Sequence, residues 1–238
     1  MMNIGIILAG GSGKRVKQDV PKQFLCVNDK PIIIYTMEAF EKHPNIEAII
    51  VSCFEGWHEI LMAFAKENNI TKLKWVVNGG NNVQESVHNA VDFLKTKCSY
   101  DDIVLIHDAI RPMVSQDIIS DCIAKCREMG SGLAAIRCQE TIVKTEDGIK
   151  GNQGIDRSEV MRVQTPQAYR FSKITWALEE AIKRNIRDEV YINTLMLKLG
   201  ETVYFYAGSN KNIKITTAED VDIFNALYRT KQSEWIKQ

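Results

Sequence analysis

The sequence predicts an α/β fold, in which a mostly parallel sheet is covered by helices on both faces. Short apolar runs alternate along the chain with segments whose apolar residues recur at helical spacing. The first run, residues 4–8, is apolar without a polar alternation, which is typical of a strand buried on both faces. Such strands alternating with amphipathic helices indicate a parallel sheet between two helical layers.

The individual elements follow in order along the chain. A glycine-rich loop comes after the first strand, and a helix is expected between Pro31 and Pro44. Further helices are expected from about Trp57, through 87–94, and after Ser115, which is a suitable N-cap residue. The strands between them are expected at 46–53, 74–77, 103–106 and 133–136.

The pattern changes between residues 140 and 164, where a polar stretch contains an Asp147-Gly148 turn. It predicts an antiparallel hairpin with too little apolar surface to be stable alone, so we expect it to pack on a second subunit. We therefore expect one domain, residues 1–238, with 139–165 as a projecting arm. Beyond it we expect helices at 172–184 and 188–199, strands at 203–206 and 212–215, and a last helix opened by a Thr217–Asp220 capping box.

The composition excludes several classes of protein. With 30 basic and 30 acidic residues among 238, the chain has no net charge to attract nucleic acid or a membrane surface. No apolar run reaches the roughly 18–20 residues of a membrane-spanning helix, and the N-terminus is unlike a signal peptide, so a cytoplasmic location is expected. The six cysteines form no Cys-x-x-Cys pair and are expected to be buried free thiols.

The glycine-rich loop after the first strand is a candidate phosphate-binding loop. Its glycines would let backbone N–H groups approach a triphosphate, and Arg15 and Lys22 follow closely as cations. The loop is not a P-loop, because no Gly-Lys-Ser/Thr follows at the required spacing. Nor is it a dinucleotide fingerprint, since Val16 occupies the third glycine position. Taken alone, it fits phosphate binding and a simple strand-to-helix turn equally well.

Two later loops follow predicted strands and carry unusual polar residues. Gly79-Gly80 precedes a helix that begins near Ser86, and Asp108 and Arg111 follow the strand at 103–106. Ligands of open parallel sheets bind beyond the carboxyl ends of the strands. A carboxylate there is a natural Mg²⁺ ligand, because Mg²⁺ usually takes one or two carboxylates and substrate phosphates. Asp108 would otherwise serve as a helix cap or as the partner of Arg111.

Five motifs occur in order along the whole chain: Leu8-Ala9-Gly10-Gly11-x-Gly13-x-Arg15, Pro21-Lys22-Gln23-Phe24, His107-Asp108-Ala109-x-Arg111-Pro112, Gln164-Thr165-Pro166-Gln167 and Asn212-Ile213-Lys214-Ile215-Thr216. In this order they closely resemble the family that holds methylerythritol-phosphate and ribitol-5-phosphate cytidylyltransferases. Five motifs in order are far more specific than any one of them.

The resemblance implies a Rossmann-like nucleotidyltransferase fold and an enzyme that joins CTP to a polyol phosphate with Mg²⁺ as cofactor. It also implies a homodimer in which the arm crosses to the partner subunit. The positions that match catalytic residues are Arg15, Lys22 and Lys214. The positions that match CTP contacts are Leu8, Ala9, Gly10, Gly11, Ser12, Gly13, Gly79, Gly80, Ser86 and Ala109. The positions that match polyol-phosphate contacts are Asp108, Arg111, Thr141, Arg157 and Thr165, and Asp108 also matches the position near Mg²⁺.

The acceptor is indicated by finer features of the resemblance. Gly10, Trp57 and Thr141-Ile142-Val143 are more typical of the ribitol-phosphate branch. They favour D-ribitol 5-phosphate over 2-C-methyl-D-erythritol 4-phosphate, and hence cell-surface polymers such as teichoic acid or capsule over isoprenoid synthesis. Two departures, Val83 in place of a common arginine and Arg187-Asp188 in place of a Thr-Asp pair, have effects that the sequence leaves open.

Two other classes of protein remain as alternatives. A sugar-1-phosphate nucleotidyltransferase also opens with a glycine-rich loop followed by arginine and lysine, but the Asn-Ile-Lys and Gln-Thr-Pro-Gln motifs argue against it. A nucleotide-binding regulator without turnover is the non-enzymatic alternative. Retention of Arg15, Lys22, Asp108 and Lys214 together argues against that class.

Overall fold

The structure is a computed structural model that describes residues 1–11 and 20–232. The strands in these ranges are β1 (Asn3–Ala9), β2 (Cys26–Val27), β3 (Lys30–Pro31), β4 (Ala48–Cys53), β5 (Leu73–Asn78), β6 (Ile103–Asp108), β7 (Ser131–Arg137), β8 (Ile142–Thr145), β9 (Gly151–Ile155), β10 (Met161–Arg170) and β11 (Phe205–Ala207). The helices there are α1 (Ile32–Glu41), α2 (His58–Glu67), α3 (Val83–Leu94), α4 (Gln116–Met129), α5 (Phe171–Lys183), α6 (Ile192–Lys198) and α7 (Ala218–Gln232).

Within the described part of the chain, seven strands form one sheet in the order β11-β7-β10-β6-β1-β4-β5. All of them point the same way except β10, which runs antiparallel between β6 and β7. The prediction of a mostly parallel sheet is therefore confirmed. Strands β2 and β3, and likewise β8 and β9, form separate two-stranded ladders.

The helices cover both faces of the sheet, as predicted. One core lies between the sheet and α1, α2 and α4, and its members include Phe40, Leu61 and Cys122. The core on the other face lies under α3, α5 and α6, with Val91 and Leu195 among its members. Two buried faces explain why β1, β4 and β6 are continuous apolar runs, since neither side of these inner strands is exposed to water.

A third, smaller core fixes the last helix. Phe224 of α7 is fully buried against Tyr35 of α1, with the two rings 5.1 Å apart and edge to face. Ile110 and Ile215 belong to the same cluster. The predicted capping box is confirmed, because Asp220 accepts the Thr217 N–H at 2.8 Å and the Thr217 hydroxyl accepts the Asp220 N–H at 3.3 Å. None of the described helices is long and apolar enough to cross a bilayer.

Three local predictions were wrong. Residues 212–215 form no strand. The helix expected at 188–199 begins at Ile192 instead of 188. Asp188 has a φ of +63°, which a residue in a right-handed helix does not adopt. All six cysteines are free, but Cys26 is exposed and Cys98 is half-buried, so only the other four are buried thiols.

The stability of the fold is expected to depend on pH through His43. Its Nδ1 accepts the Asn45 N–H at 3.2 Å, so Nε2 carries the proton and donates to Ser120 Oγ at 2.9 Å. Burial and the nearby Lys72 ammonium lower the pKa of His43 below its ordinary value. Protonation of Nδ1 would break the bond to Asn45. The stabilisation is therefore complete above about pH 6.5 and decreases as the pH falls towards the lowered pKa.

Urea unfolding between pH 7.5 and pH 5 measures this effect. The midpoint for the wild-type protein should fall more steeply with acidification than that of His43→Gln, which cannot titrate. Parallel curves for the two proteins would exclude the assignment.

Candidate active site

A cleft of about 680 Å³ opens at the carboxyl ends of β1, β5 and β6. The loops that follow these strands form its walls, as the parallel sheet requires. The predicted site residues that line it are Leu8, Ala9, Gly10, Gly11, Lys22, Gly80, Ser86, Asp108 and Lys214. Ala109 lies next to these lining residues and donates its N–H to the Leu8 carbonyl at 3.1 Å. Of the fifteen predicted site residues that the structure describes, nine therefore line one cavity.

The first loop and the Gly-Gly loop are in direct backbone contact. A Cβ on Gly79 would lie 2.5 Å from Gly10 Cα, and a Cβ on Gly10 would lie 2.9 Å from Gly79 Cα. Real Cβ atoms do not approach another carbon so closely, so both positions require glycine. Gly79 is also held by its N–H, which donates to the Cys53 carbonyl at 2.7 Å. The two loops therefore form one continuous wall of exposed backbone.

The start of α3 is fixed by the Ser86 side chain. Its hydroxyl accepts the Gly80 N–H at 2.9 Å and donates to the Asn82 carbonyl at 2.8 Å. Asn82 is the N-cap residue of α3, and its side chain accepts the Glu85 N–H at 2.8 Å. Ser86 is buried but reaches the cleft. The helix N-terminus carries a partial positive charge, which suits a nucleotide phosphate or a carbonyl acceptor.

Lys22 is held at the cleft by the two residues that follow it in the chain. The buried Gln23 donates from Nε2 to the carbonyls of Ala9 and Gly11, at 2.6 and 3.0 Å. Phe24 stacks on Trp57, with ring centroids 4.6 Å apart. Gln23 thereby connects the turn to the glycine-rich loop. The sequence analysis did not predict this contact, although Gln23 belongs to the Pro21-Lys22-Gln23-Phe24 motif.

Asp108 is the centre of a buried charge cluster at the inner end of the cleft. Arg111 Nε donates to Asp108 Oδ2 at 3.0 Å, and Lys214 Nζ lies 3.3 Å from each carboxylate oxygen. Burial alone would raise the pKa of Asp108, but the Lys214 and Arg111 cations outweigh it and lower that pKa. Burial alone would lower the pKa of Lys214, but Asp108 and the Tyr191 hydroxyl outweigh it and raise that pKa. Asp108 and Lys214 are therefore both charged at neutral pH.

Lys214 reaches Asp108 because its segment is bonded to the loop after β6. The Ile215 N–H donates to the Ile110 carbonyl at 2.9 Å, and Arg111 Nη1 donates to the Asn212 carbonyl at 2.8 Å. Asn212 is fully buried, and its Nδ2 donates to the Thr165 carbonyl at 2.8 Å. An extended segment without a strand partner is thus anchored by loop carbonyls and side chains.

His107 is a structural residue in this site. It is fully buried, and its Nε2 lies 3.1 Å from the Arg111 carbonyl, which can only accept a hydrogen bond. Burial lowers the pKa of His107 to about 4, so the ring is neutral at neutral pH. Its ring packs against Phe40 at 5.4 Å. The imidazole therefore fills the end of β6 and supports the Arg111 loop.

The remaining predicted residues fall into three groups. Thr165 is buried behind Asp108, whose N–H donates to the Thr165 hydroxyl at 3.1 Å. Thr141 and Arg157 are exposed on the segment around the β8–β9 hairpin, and they do not line the cleft of their own chain. Arg157 donates to the Gln139 carbonyl at 2.8 Å. The predicted residues Ser12, Gly13 and Arg15 lie outside the described residues.

The donors at the cleft are compatible with Mg²⁺. In the described ranges no three His, Cys, Asp or Glu side chains are close enough to form a metal site by themselves. Mg²⁺ usually takes one or two carboxylates, substrate phosphates and water. The Asp108 carboxylate at the cleft meets that requirement, and it pairs with Lys214.

Comparison with known proteins identifies the family. The family model described as IspD, 2-C-methyl-D-erythritol 4-phosphate cytidylyltransferase, matches residues 3–230. The chain belongs to this family. It is therefore a cytidylyltransferase, one of the nucleotidyltransferases.

Individual relatives of this family member cover it almost completely. It is 48% identical over 233 residues to a ribitol-5-phosphate cytidylyltransferase of Lacticaseibacillus paracasei, a match that covers 97% of this chain and 100% of that protein. It is 37% identical over 225 residues to a 2-C-methyl-D-erythritol 4-phosphate cytidylyltransferase of Clostridium tetani, covering 92% and 87%. The structure of 2-C-methyl-D-erythritol 4-phosphate cytidylyltransferase from Francisella tularensis is 28% identical, with a TM-score of 0.79 over 95% of this chain and 99% of that one.

Proposed function

We propose that the enzyme transfers the cytidylyl group of CTP to D-ribitol 5-phosphate, giving CDP-ribitol and pyrophosphate. The observation that carries the acceptor is the 48% identity to the ribitol-5-phosphate enzyme of L. paracasei along both full chains. The identity to the C. tetani enzyme for the methylerythritol substrate is 37%. The pentitol product would serve cell-surface polymers such as teichoic acid or capsule.

The roles of the site residues follow from charge. An oxygen of the acceptor phosphate attacks the α-phosphorus of CTP, the bond to the bridging oxygen breaks, and pyrophosphate leaves. The acceptor is already an anion and needs no strong general base, but it must approach a second anion. We assign Lys22 and Lys214 to that task, because both line the cleft. Positioning and stabilisation of negative charge dominate such transfers.

The nucleotide is assigned to the wall made by the first loop and the Gly-Gly loop. Residues 8–11, Gly79 and Gly80 would line the nucleotide, and Gly10 and Gly11 would offer backbone N–H groups to its phosphates. The N–H groups of Gly79 and Gly80 instead hold the wall together through the Cys53 carbonyl and the Ser86 hydroxyl, and Ser86 would contact the base. The polyol phosphate is assigned to the inner end, where Asp108 and Arg111 lie. Mg²⁺ is the proposed cofactor and would be held by Asp108 and the phosphates, where it would offset their charge.

We further infer a homodimer in which each arm reaches the partner's cleft. The β8–β9 hairpin carries apolar side chains that are largely exposed, at 51% for Val143 and 89% for Ile149. Thr141 and Arg157 lie beside that hairpin and away from their own cleft, so a partner subunit is the place where they would meet a substrate. Light scattering measures the mass in solution, and a monomer at assay concentrations would exclude arm exchange.

The acceptor is tested by following pyrophosphate release from CTP and Mg²⁺ with each polyol phosphate in turn. Turnover with D-ribitol 5-phosphate should exceed turnover with 2-C-methyl-D-erythritol 4-phosphate by at least about tenfold in kcat/KM. The opposite preference would assign the enzyme to isoprenoid synthesis. Inactivity with both would point to another polyol phosphate.

A further inference from the structure

Tyr191 contacts the Lys214 ammonium through its hydroxyl. Its hydroxyl lies 2.8 Å from Lys214 Nζ, and the same Nζ lies 5.1 Å from the centre of its ring. The ammonium carries hydrogens only, so the phenol oxygen accepts. Asp108 holds the same ammonium at 3.3 Å. Tyr191 belongs to none of the five sequence motifs.

The backbone of Tyr191 is fixed independently of Lys214. It is the N-cap residue of α6, and its carbonyl accepts the Thr194 hydroxyl at 2.7 Å. α6 is anchored by Ile192 and Leu195, which are buried in the core on that face of the sheet. The phenol therefore extends from a rigid support, whereas the lysine side chain has four rotatable bonds.

The segment that leads to Tyr191 is also bonded to the start of α3. Asn82 Nδ2 donates to Asp188 Oδ1 at 2.6 Å, and the Glu189 N–H donates to Gln84 Oε1 at 3.1 Å. Asn82 lines the cleft at the Gly-Gly loop. One short segment thus connects the nucleotide wall to the lysine at the acceptor end.

We propose that Tyr191 is a positioning residue that aims the Lys214 ammonium at the phosphates brought together in the cleft. This inference rests on the proposed role of Lys214. The hydroxyl restricts the ammonium to one side, while Asp108 balances its charge. When a phosphate enters, the ammonium exchanges Asp108 for the phosphate without losing Tyr191. The lysine then needs little reordering at the moment of transfer.

The test is a double-mutant cycle on the full-length enzyme. Tyr191→Phe keeps the ring and removes the hydroxyl, so kcat should fall by roughly 10-fold, the effect of one hydrogen bond to a charged group. The KM for CTP should stay within about twofold, because the nucleotide wall is unchanged. Lys214→Ala should lower kcat further, and the variant that combines both changes should be no slower than Lys214→Ala alone.

Multiplicative losses in the combined variant, or wild-type kcat in Tyr191→Phe, would overturn the proposal. Tyr100→Phe is the matched control, since Tyr100 is 80% exposed and does not line the cleft. Its kcat and melting temperature should equal those of the wild type. The cycle uses whichever polyol phosphate the wild-type enzyme turns over, so a wrong acceptor and a wrong role for Tyr191 give different results.

Discussion

Replacing Lys22 by alanine is expected to lower kcat by about 10²- to 10³-fold, by analogy with the loss of one preorganised donor at a developing charge. Lys22 lines the cleft and is held by a turn whose other two residues, Gln23 and Phe24, are buried. Removing the side chain leaves those anchors intact. The melting temperature should therefore stay the same, while the rate of pyrophosphate release at saturating substrate concentrations should fall by that factor.

The control for this variant is Lys66→Ala. Lys66 is an exposed lysine in the last turn of α2 and does not line the cleft, so the change removes one positive charge without touching the site. Its kcat should equal that of the wild type. Near-normal turnover in Lys22→Ala would remove the lysine from the mechanism. The same loss expected for Arg15→Ala rests on the sequence motif, since Arg15 lies outside the described residues.

Replacing Gly79 by alanine is expected to separate the two loops that form the nucleotide wall. The added carbon would lie 2.5 Å from Gly10 Cα, and backbone atoms must move to make room. Overpacking of this kind costs about 1–3 kcal/mol of stability. Because the displaced atoms belong to the CTP wall, the Kd for CTP should also rise by at least about tenfold.

Gly11→Ala is the steric control for the stability measurement. It adds the same methyl group to the same wall, but among residues 1–11 and 20–232 no heavy atom beyond its chain neighbours lies within 4 Å of the new carbon. Its unfolding midpoint should match that of the wild type, whereas the midpoint of Gly79→Ala should fall. Calorimetry with CTP then measures the affinity of Gly79→Ala. Unchanged stability and affinity in that variant would show that the two loops do not depend on each other.

Strand β10, which lies between β6 and β7, was not predicted, but the sequence was sufficient for β1, β4, β6 and β7 because these strands are buried almost completely on both faces. Their apolar runs have no polar alternation, and each ends in a loop with glycine or charged residues, so strand ends and candidate site appear together. The segment 212–215 was wrongly predicted to be a strand because of its apolar pattern. Its apolar residues Ile213 and Ile215 alternate with Asn212 and Lys214, which is the pattern of a strand, yet the segment bonds to the loop at Ile110 and to side chains.

The charge cluster shows what a linear sequence can and cannot reveal. Asp108 and Arg111 were recognised because they share a motif, and Lys214 because it lies in another. Tyr191 carries no such signal, since an isolated tyrosine before a short helix is common. Its contact with Lys214 depends on where α6 docks, which is decided by packing in the core. Thr141 and Arg157 were predicted to contact the acceptor, but they do not line the cleft of their own chain.

The third core has a consequence for the genetics of this enzyme. Phe224 lies outside every motif, yet its fully buried ring belongs to the cluster that contains Ile215, the neighbour of Lys214. Truncating such a ring usually costs about 3–5 kcal/mol of folding stability. Here the packing that is lost supports the segment that carries Lys214. A random screen for inactive alleles should therefore recover changes in the C-terminal helix alongside those in the cleft, although none of its residues 218–230 lines the cleft.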